Sequence, residues 1–302
     1  MDADHALLTR FSAVLDPGAP PPTEDWLFYR LGFFVDACLP SVLSQQGAAP
    51  FTWLVLLDDR CSDDFRAEVT RLSEGAFTPV WTHEPWRRET FAHLLPPSPR
   101  PHLITTRLDS DDAIAVDFMA RVQHQPAGQD RLFVNFPRGV QIERSGAVHR
   151  TNVLSSPFLS LIEARRPGQP PLTVYAAKHA RARGHAPLRE VAAPVMWAQV
   201  LHGNNLLNTS TGVRVHPRVL AERFRLDLAH DADIAPAALL RGRAHQLARL
   251  ARLWAAHPGE LTKQLEATAW TLRGTHDRPM APGAPRLNDH LLAGVQRLRR
   301  TR

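Results

Sequence analysis

Three apolar runs in the first 120 residues end abruptly in polar or charged residues, and this pattern restricts the fold more than any other feature. The runs cover 5–12, 51–59 and 102–112, and a segment with helical spacing of apolar residues follows each of them. Strands that alternate with helices predict a parallel sheet with helices packed against it. Because such sheets bind ligands at the carboxyl ends of their strands, we expect a site where the three runs end.

The segments between and after these runs support the same α/β interpretation. A long apolar segment over 24–46 has helical spacing, and Pro40 is expected to kink it or to begin a second helix. "SDDFRAEVTRLSE" (62–74) predicts a helix, and "PVWTH" (79–83) predicts a short strand. "DDAIAVDFMARVQ" (111–123) predicts a further helix.

The pattern changes along the rest of the chain. Short strands and loops are predicted over 130–215, whereas 238–257 and 258–274 carry apolar residues at helical spacing, and a last helix is expected before the C-terminus. We therefore predict an α/β domain over 1–215 and a helical C-terminal extension over 216–302.

Composition places the chain among ordinary globular proteins. Of its 302 residues, 44% are hydrophobic and 22% are charged, and the net charge of +6 comes almost entirely from arginine. Arginine suits phosphate and carboxylate ligands, although GC-rich codons produce the same bias. The basic C-terminus lacks aromatic interleaving and any DNA-binding motif, so we expect no nucleic-acid partner.

Cysteine usage and apolar runs exclude several other classes. The two cysteines, Cys38 and Cys61, form no Cys-x-x-Cys pair, so the sequence indicates neither a zinc site nor a disulfide framework. The start "MDADHALLTR" lacks a basic and then apolar leader, and no run of 18 apolar residues occurs. We therefore expect a cytoplasmic protein without a signal peptide or a membrane span.

The sequence "RLDSDD" (107–112) crowds three carboxylates at the end of a predicted buried strand. Asp109 and Asp111 are placed so that both can reach one Mn²⁺ or Mg²⁺ ion that also binds the phosphates of a substrate. The alternative is a solvated helix N-terminus, where the helix dipole favours acids. The position directly after an uncharged strand favours the metal site.

A second acidic pair, Asp58 and Asp59, ends the apolar run over 51–59. These carboxylates can accept hydrogen bonds from a nucleobase or a ribose. Capping of the following helix is the alternative explanation. The pair therefore adds a second candidate binding position at the same predicted sheet edge.

Six loose motifs follow one another in a fixed order over residues 7–215: "TRFS", "WLFYRLGFF", "CLPSVLSQ", "FTWLVLLD", "ITTRLDSDDAI" and "WAQVLHGNN". This order resembles the nucleotide-sugar half of GT-A fold glycosyltransferases, and the fuller pattern is similar to the bacterial putative rhamnosyltransferase family. The resemblance implies a Rossmann-like mixed sheet flanked by helices. It further implies a nucleotide-sugar half over 1–125 and an acceptor half over 126–215.

The same resemblance implies a hexosyl-transferring enzyme that uses a dTDP-, UDP- or GDP-sugar and a hydroxyl-bearing acceptor. Rhamnose as the sugar comes from the family label alone. In this comparison Asp109 faces the ribose and the metal, Asp111 holds the metal, and His202 is a late metal-ligating histidine. A structural role is the alternative for His202. The implied nucleotide-sugar contacts are Thr9, Arg10, Phe11, Asp58 or Asp59, and Arg107.

The resemblance also implies contacts with the diphosphate and the acceptor, and it requires a catalytic base. Arg107 would lie near the diphosphate, or would pair with an acid instead. Trp197, Asn204 and Asn205 would stack on and hydrogen-bond the acceptor, with core packing as the alternative for Trp197. Asp112 is the nearest carboxylate to serve as the catalytic base. Three other acids, which stand in no matching motif, are Glu143, Glu163 and Glu190.

Two other functions stay open at this stage. A catalytically silent GT-A-like module that binds a partner is one, because no motif supplies the base. A sugar nucleotidyltransferase is the other, but it needs a Gly-rich phosphate loop after the first strand, and "LLTRFSAVLDPG" contains none.

Overall fold

The computed structural model describes residues 2–126, 128–203, 210–230 and 232–281. The strands in these residues are β1 (Ala3–Arg10), β2 (Thr52–Leu57), β3 (Thr78–Trp81), β4 (His102–Arg107), β5 (Ala113–Ile114), β6 (Arg131–Asn135), β7 (Arg138–Glu143), β8 (Val148–Asn152), β9 (Ser160–Ala164), β10 (Leu188–Glu190), β11 (Trp197–Leu201), β12 (Val213–Val215) and β13 (His276–Arg278). The α-helices are α1 (Glu24–Phe33), α2 (Leu39–Leu43), α3 (Asp63–Ser73), α4 (Thr90–Leu94), α5 (Phe118–Gln123), α6 (Arg218–Arg223), α7 (Pro236–Ala256) and α8 (Pro258–Leu272).

The larger sheet has eight strands in the order β13-β10-β6-β9-β4-β1-β2-β3. Strands β1 to β4 are parallel, whereas β9 runs antiparallel between β4 and β6. The central strand β1 is buried on both faces from His5 to Thr9, which explains its uninterrupted apolar run. The predicted mixed sheet flanked by helices is confirmed.

Parallel pairing brings the polar ends of the predicted strands to one edge of this sheet. The carboxyl ends of β1, β2 and β4 lie side by side, because β1 pairs in parallel with both of the others. Arg10 ends β1, Asp58 follows β2, and Asp109 lies two residues after β4. The three runs recognised in the sequence therefore end at the same edge.

The smaller sheet, ordered β12-β8-β7-β11-β5, begins directly after the acidic cluster. The helix predicted over 111–123 is wrong in its first half, because β5 pairs antiparallel with β11 before α5 begins at Phe118. Burial of Ala113 and Ile114 against β11 outweighs their local helical spacing. This pairing places the end of the acidic cluster beside β11.

Two polar side chains of the "CLPSVLSQ" motif hold the segment that follows the acidic cluster. Ser41 Oγ accepts the Ile114 N–H at 3.3 Å. Gln45 Nε2 donates to the Ala115 carbonyl at 2.8 Å, and Gln45 Oε1 accepts the Met119 N–H at 2.9 Å. These bonds satisfy backbone groups of an irregular segment and therefore fix its path.

The helical segment predicted over 24–46 is divided into α1, a π-helical turn over Phe34–Cys38, and α2. Pro40 stands in the first turn of α2, where its missing N–H is tolerated. In the described part of the chain, Glu24–Leu43 is the one helical stretch whose length and composition suit a membrane span. Core helices of soluble proteins also meet that criterion, and this stretch buries Leu27 against the main core.

The C-terminal segment is helical, as predicted, but it also contributes a strand. Helices α6, α7 and α8 are followed by β13, which pairs antiparallel with β10 at the edge of the larger sheet. Arg278 of β13 donates to Glu190 Oε1 at 3.1 Å, and both side chains are buried. The last predicted helix lies outside the described residues.

His5 is a buried histidine held by polar neighbours in the centre of the larger sheet. The Gln123 amide donates to His5 Nδ1 at 3.1 Å, so His5 Nε2 carries the proton that it donates to Thr106 Oγ1 at 2.8 Å. Thr106 Oγ1 in turn lies 2.7 Å from Ser160 Oγ. Burial lowers the pKa of His5 to about 3, so the folded protein keeps this ring neutral.

We expect this ring to make the protein lose stability as the pH falls. An unfolded chain protonates histidine near pH 6.5, whereas the folded chain protonates His5 only near pH 3. Between these values protons bind the unfolded chain more strongly, so the stability that the neutral ring gives above pH 6.5 is progressively lost as the pH falls. Between pH 6.5 and pH 5, urea denaturation should show the unfolding free energy of the wild type falling by about 1.5 kcal/mol more than that of His5→Gln. Equal slopes for the two proteins would contradict the neutral buried ring.

Candidate active site

Asp109 is paired with arginine at the carboxyl end of β4. The Arg107 guanidinium donates to both of its carboxylate oxygens, at 3.1 Å from Nε and 2.6 Å from Nη2, and Arg10 Nη2 lies 4.0 Å away. Burial by itself raises the pKa of the Asp109 carboxyl, but the charge and hydrogen bonds of Arg107, together with the charge of Arg10, outweigh it and hold that pKa below its usual range. Asp109 is therefore ionised and anchored.

Asp111 faces His202, which lies 91 residues further along the chain. Their Oδ2 and Nε2 atoms are 2.8 Å apart. Arg30 of α1 completes the group, because its Nη1 lies 3.5 Å from Asp111 Oδ2 and its Nη2 donates to Ser110 Oγ at 2.8 Å. The sequence predictions did not include Arg30, although a cation within the apolar segment "WLFYRLGFF" was an available signal.

The imidazole of His202 is held in place by α1. The Phe33 ring stacks on it with centroids 4.4 Å apart, and the Tyr29 ring meets it edge-on at 5.8 Å. The Tyr29 hydroxyl also donates to the His202 carbonyl at 2.9 Å. The "WLFYRLGFF" motif therefore orients the histidine as well as supplying Arg30.

Asp112 is placed differently from its two neighbours. It is 4% exposed, and its Oδ1 accepts the Val200 N–H of β11 at 3.0 Å. Burial, with the charges of Asp111 and Asp109 nearby, raises the pKa of its carboxyl well above the usual range. The prediction of Asp112 as the catalytic base is therefore corrected, because this carboxyl is buried and joins β11 to the acidic segment.

The two carboxylates of the second acidic pair, Asp58 and Asp59, have different surroundings. Asp58 is buried, and Arg60 donates to both of its carboxylate oxygens, at 3.0 Å and 2.7 Å. Asp59 is partly exposed, with its Oδ2 3.0 Å from His83 Nδ1. Of the two carboxylates, that of Asp59 is the solvent-accessible one, so Asp59 stays the candidate for a nucleobase contact, and the alternative contact through the buried Asp58 side chain is corrected.

Only one of the three residues predicted at the end of β1 points outward. Thr9 is buried and its Oγ1 accepts the Trp53 indole N–H at 3.0 Å, and the Phe11 ring is buried in the core. Their side chains do not line a nucleotide pocket, which corrects two predictions. Arg10 faces the other way, with its Cζ 4.7 Å from the Trp86 ring centroid and 5.1 Å from that of Tyr175.

Three arginines consequently surround the acidic cluster, although the sequence predictions named only two of them. Arg10, Arg30 and Arg107 are each between 15% and 22% exposed in their side chains. Arg10 and Arg107 face Asp109, and Arg30 faces Asp111, so three guanidinium groups pair with two carboxylates. Partly desolvated guanidinium groups of this kind suit the oxygens of a diphosphate.

Trp197, predicted to contact the acceptor, is a core residue. It is 1% exposed, its ring stacks on Phe158 at 4.8 Å between centroids, and its indole N–H donates to the Phe136 carbonyl at 2.8 Å. A Cβ atom at Gly139 would lie 2.1 Å from this ring, so only glycine fits beneath it. The prediction of acceptor stacking by Trp197 is corrected for this reason.

The two asparagines predicted on the acceptor side and the three glutamates outside any motif have different outcomes. Asn204 and Asn205 lie outside the described residues. Glu163 is buried and accepts two backbone N–H groups, and Glu190 is buried against Arg278 and Asn135. Glu143, at the end of β7, is partly exposed and accepts the Ser210 hydroxyl at 2.7 Å. Of these three glutamates, Glu143 alone retains solvent access.

The donor set at Asp111 fits a divalent ion of the predicted kind. In the part of the chain that the structure describes, no group of three His, Cys, Asp or Glu side chains converges on one point. Asp111 and His202 nevertheless present an oxygen and a nitrogen 2.8 Å apart. Magnesium and manganese are commonly held by one or two protein ligands, with phosphate oxygens and water completing the coordination.

The strand order, the acidic residues at the carboxyl ends of parallel strands and the second small sheet together define a GT-A-like glycosyltransferase fold. The sequence profile of the family described as Putative rhamnosyl transferase matches residues 22–214, more than half of the chain. The chain therefore belongs to this family of glycosyltransferases. It has no match among curated proteins.

Proposed function

We propose that this protein transfers a hexosyl group from a nucleotide-diphosphate sugar to a hydroxyl-bearing acceptor. The observation that carries the proposal is the convergence of Asp109, Asp111 and His202 with three arginines at the carboxyl ends of β1 and β4. In α/β sheets this edge is where ligands bind. Membership of the family adds the sugar donor, and the family's description as rhamnosyl transferases supports rhamnose as the first sugar to test.

A Mn²⁺ or Mg²⁺ ion is proposed on Asp111 and His202. The facing oxygen and nitrogen of these side chains leave the other coordination positions to the donor's phosphates and to water. When bound, such an ion neutralises the charge of the departing diphosphate.

The arginines are the protein's own groups that balance the negative charge of the diphosphate. Arg107 holds Asp109 in a two-point pair and keeps it ionised, so this carboxylate can accept hydrogen bonds from the donor's ribose. Arg10 and Arg30 present further N–H donors beside the same cluster. Donors fixed in place before the reaction stabilise developing negative charge without a reorganisation cost.

At the neighbouring strand end, Asp59 supports a contact with the nucleobase of a dTDP-, UDP- or GDP-sugar. Its side chain is 30% exposed, whereas that of Asp58 is 2% exposed. The acceptor half is then proposed to correspond to the smaller sheet and its surrounding loops.

A catalytically silent GT-A-like binding module is the second candidate, and the burial of Asp112 favours it. A carboxyl that is 4% exposed and accepts the Val200 N–H has little access to an acceptor hydroxyl. The two candidates share nucleotide binding and differ in turnover.

The proposal is tested by incubating the protein and Mn²⁺ with dTDP-rhamnose, UDP-glucose and GDP-mannose and measuring the release of nucleoside diphosphate. We expect release from one nucleotide class above the rate without protein, because water replaces a missing acceptor slowly. Nucleotide binding without release from any donor would instead support the silent module. Neither binding nor release would exclude both candidates.

A further inference from the structure

Helix α7 presents apolar side chains to solvent. Leu240 is 67% exposed and Leu247 is 48% exposed, and they lie two helical turns apart on one side of the helix. Exposed Ala244 and Ala251 lie on the same side. We call these four residues the α7 strip.

The strip is distinct from the side by which α7 packs on the protein. The buried residues of the helix are Leu239, Gln246 and Leu250, and Gln246 donates to the Gly212 carbonyl at 2.8 Å. Helix α7 is therefore anchored through one face while another apolar face stays uncovered.

Helix α7 is basic. Its 21 residues include four arginines and no aspartate or glutamate. Arg241, Arg243 and Arg252 are exposed, and helical geometry places Arg241 and Arg252 along one border of the α7 strip. Arg249 instead turns inward and donates to the Ser210 carbonyl at 2.7 Å.

Charge complementarity decides which occupant suits this surface. A second copy of α7 would bring arginines against arginines. The segment 282–302 of the same chain carries five arginines and one aspartate, so it has the same sign of charge. An anionic lipid surface offers the opposite charge together with an apolar layer for leucine side chains, which is the combination that basic amphipathic helices bind.

We propose that the α7 strip and its bordering arginines dock this protein on an anionic membrane surface. The helix lies parallel to the bilayer, Leu240 and Leu247 enter the boundary between headgroups and acyl chains, and the arginines contact the lipid phosphates. No part of α7 crosses the membrane in this arrangement. The docking goes beyond the proposed sugar transfer and requires neither donor nor metal.

Vesicle sedimentation of the full chain tests the proposal, with phosphatidylcholine vesicles that either contain or lack phosphatidylglycerol. The wild type is expected to sediment with the anionic vesicles, and added salt should release it because the arginines act through screened charge. The double substitution Leu240→Glu with Leu247→Glu is expected to weaken this binding about tenfold or more. Both positions are exposed, so the melting temperature should stay within a few degrees of the wild type.

Leu15→Glu is the matched control, since Leu15 is 69% exposed and lies far from α7 in the sequence. This variant should bind vesicles as the wild type does. A second control replaces the tail arginines by glutamine at Arg297, Arg299, Arg300 and Arg302. Three outcomes would overturn the proposal: unchanged binding of the double α7 variant, loss of binding in the tail variant alone, or a dimer in ultracentrifugation that the double α7 variant dissociates.

Discussion

Asp111→Asn is expected to lower the release of nucleoside diphosphate from the donor sugar by about 10²–10³-fold. The substitution keeps the volume of the side chain but removes the negative charge that faces His202 and Arg30. It would weaken the proposed ion and leave the charge of the departing diphosphate less well balanced. The measurement is the rate of release at saturating donor and Mn²⁺, compared with the wild type.

Asp63→Asn is the matched control for this prediction. Asp63 is an exposed acid in the first turn of α3 and belongs to neither acidic pair, so the same chemical change there should leave turnover within about twofold. If Asp111→Asn retained wild-type turnover, the proposed role of Asp111 would be excluded.

Trp197→Ala is expected to lower the free energy of unfolding by about 3–5 kcal/mol. The ring is buried between Phe158 and the backbone of Gly139, and its indole N–H is bonded to the Phe136 carbonyl. The substitution would leave a cavity beside β11 and would remove the hydrogen-bond donor of the buried Phe136 carbonyl. Urea denaturation followed by circular dichroism measures the loss.

Trp197→Phe supplies the graded comparison, because it retains most of the packing but loses the indole hydrogen bond. Its loss should be clearly smaller than that of the alanine variant. A Trp197→Ala protein with less than about 1 kcal/mol of lost stability would contradict the core position and would restore an exposed role for this ring.

The sequence was most informative where local pattern alone decides the structure. Apolar runs that end in Asp58 and Asp109 predicted both the strands and the sheet edge. Parallel pairing brings the carboxyl ends of these strands to one edge of the sheet, independently of the loops that connect them. The alternation of a strand was a further signal that the predictions did not use. It separates Arg10, which faces outward, from Thr9 and Phe11, which are buried.

Contacts between distant segments could not be predicted in this way. Arg30 meets Ser110 across 80 residues, and no local pattern identifies that partner. The burial of Asp112 depends on β11, which lies 88 residues away through Val200. The same tertiary contact converted the start of a predicted helix into β5, since pairing with β11 outweighs local spacing.

Isothermal titration of the wild type with dTDP, UDP and GDP, each with and without Mn²⁺, tests the central claim most directly. We expect one of the three to bind, with an affinity that falls about tenfold or more when Mn²⁺ is omitted or Asp111 is replaced by asparagine. Absence of binding to all three in the presence of Mn²⁺ would contradict a nucleotide-sugar site at this sheet edge. Binding that neither change affects would contradict the roles proposed for the ion and for Asp111.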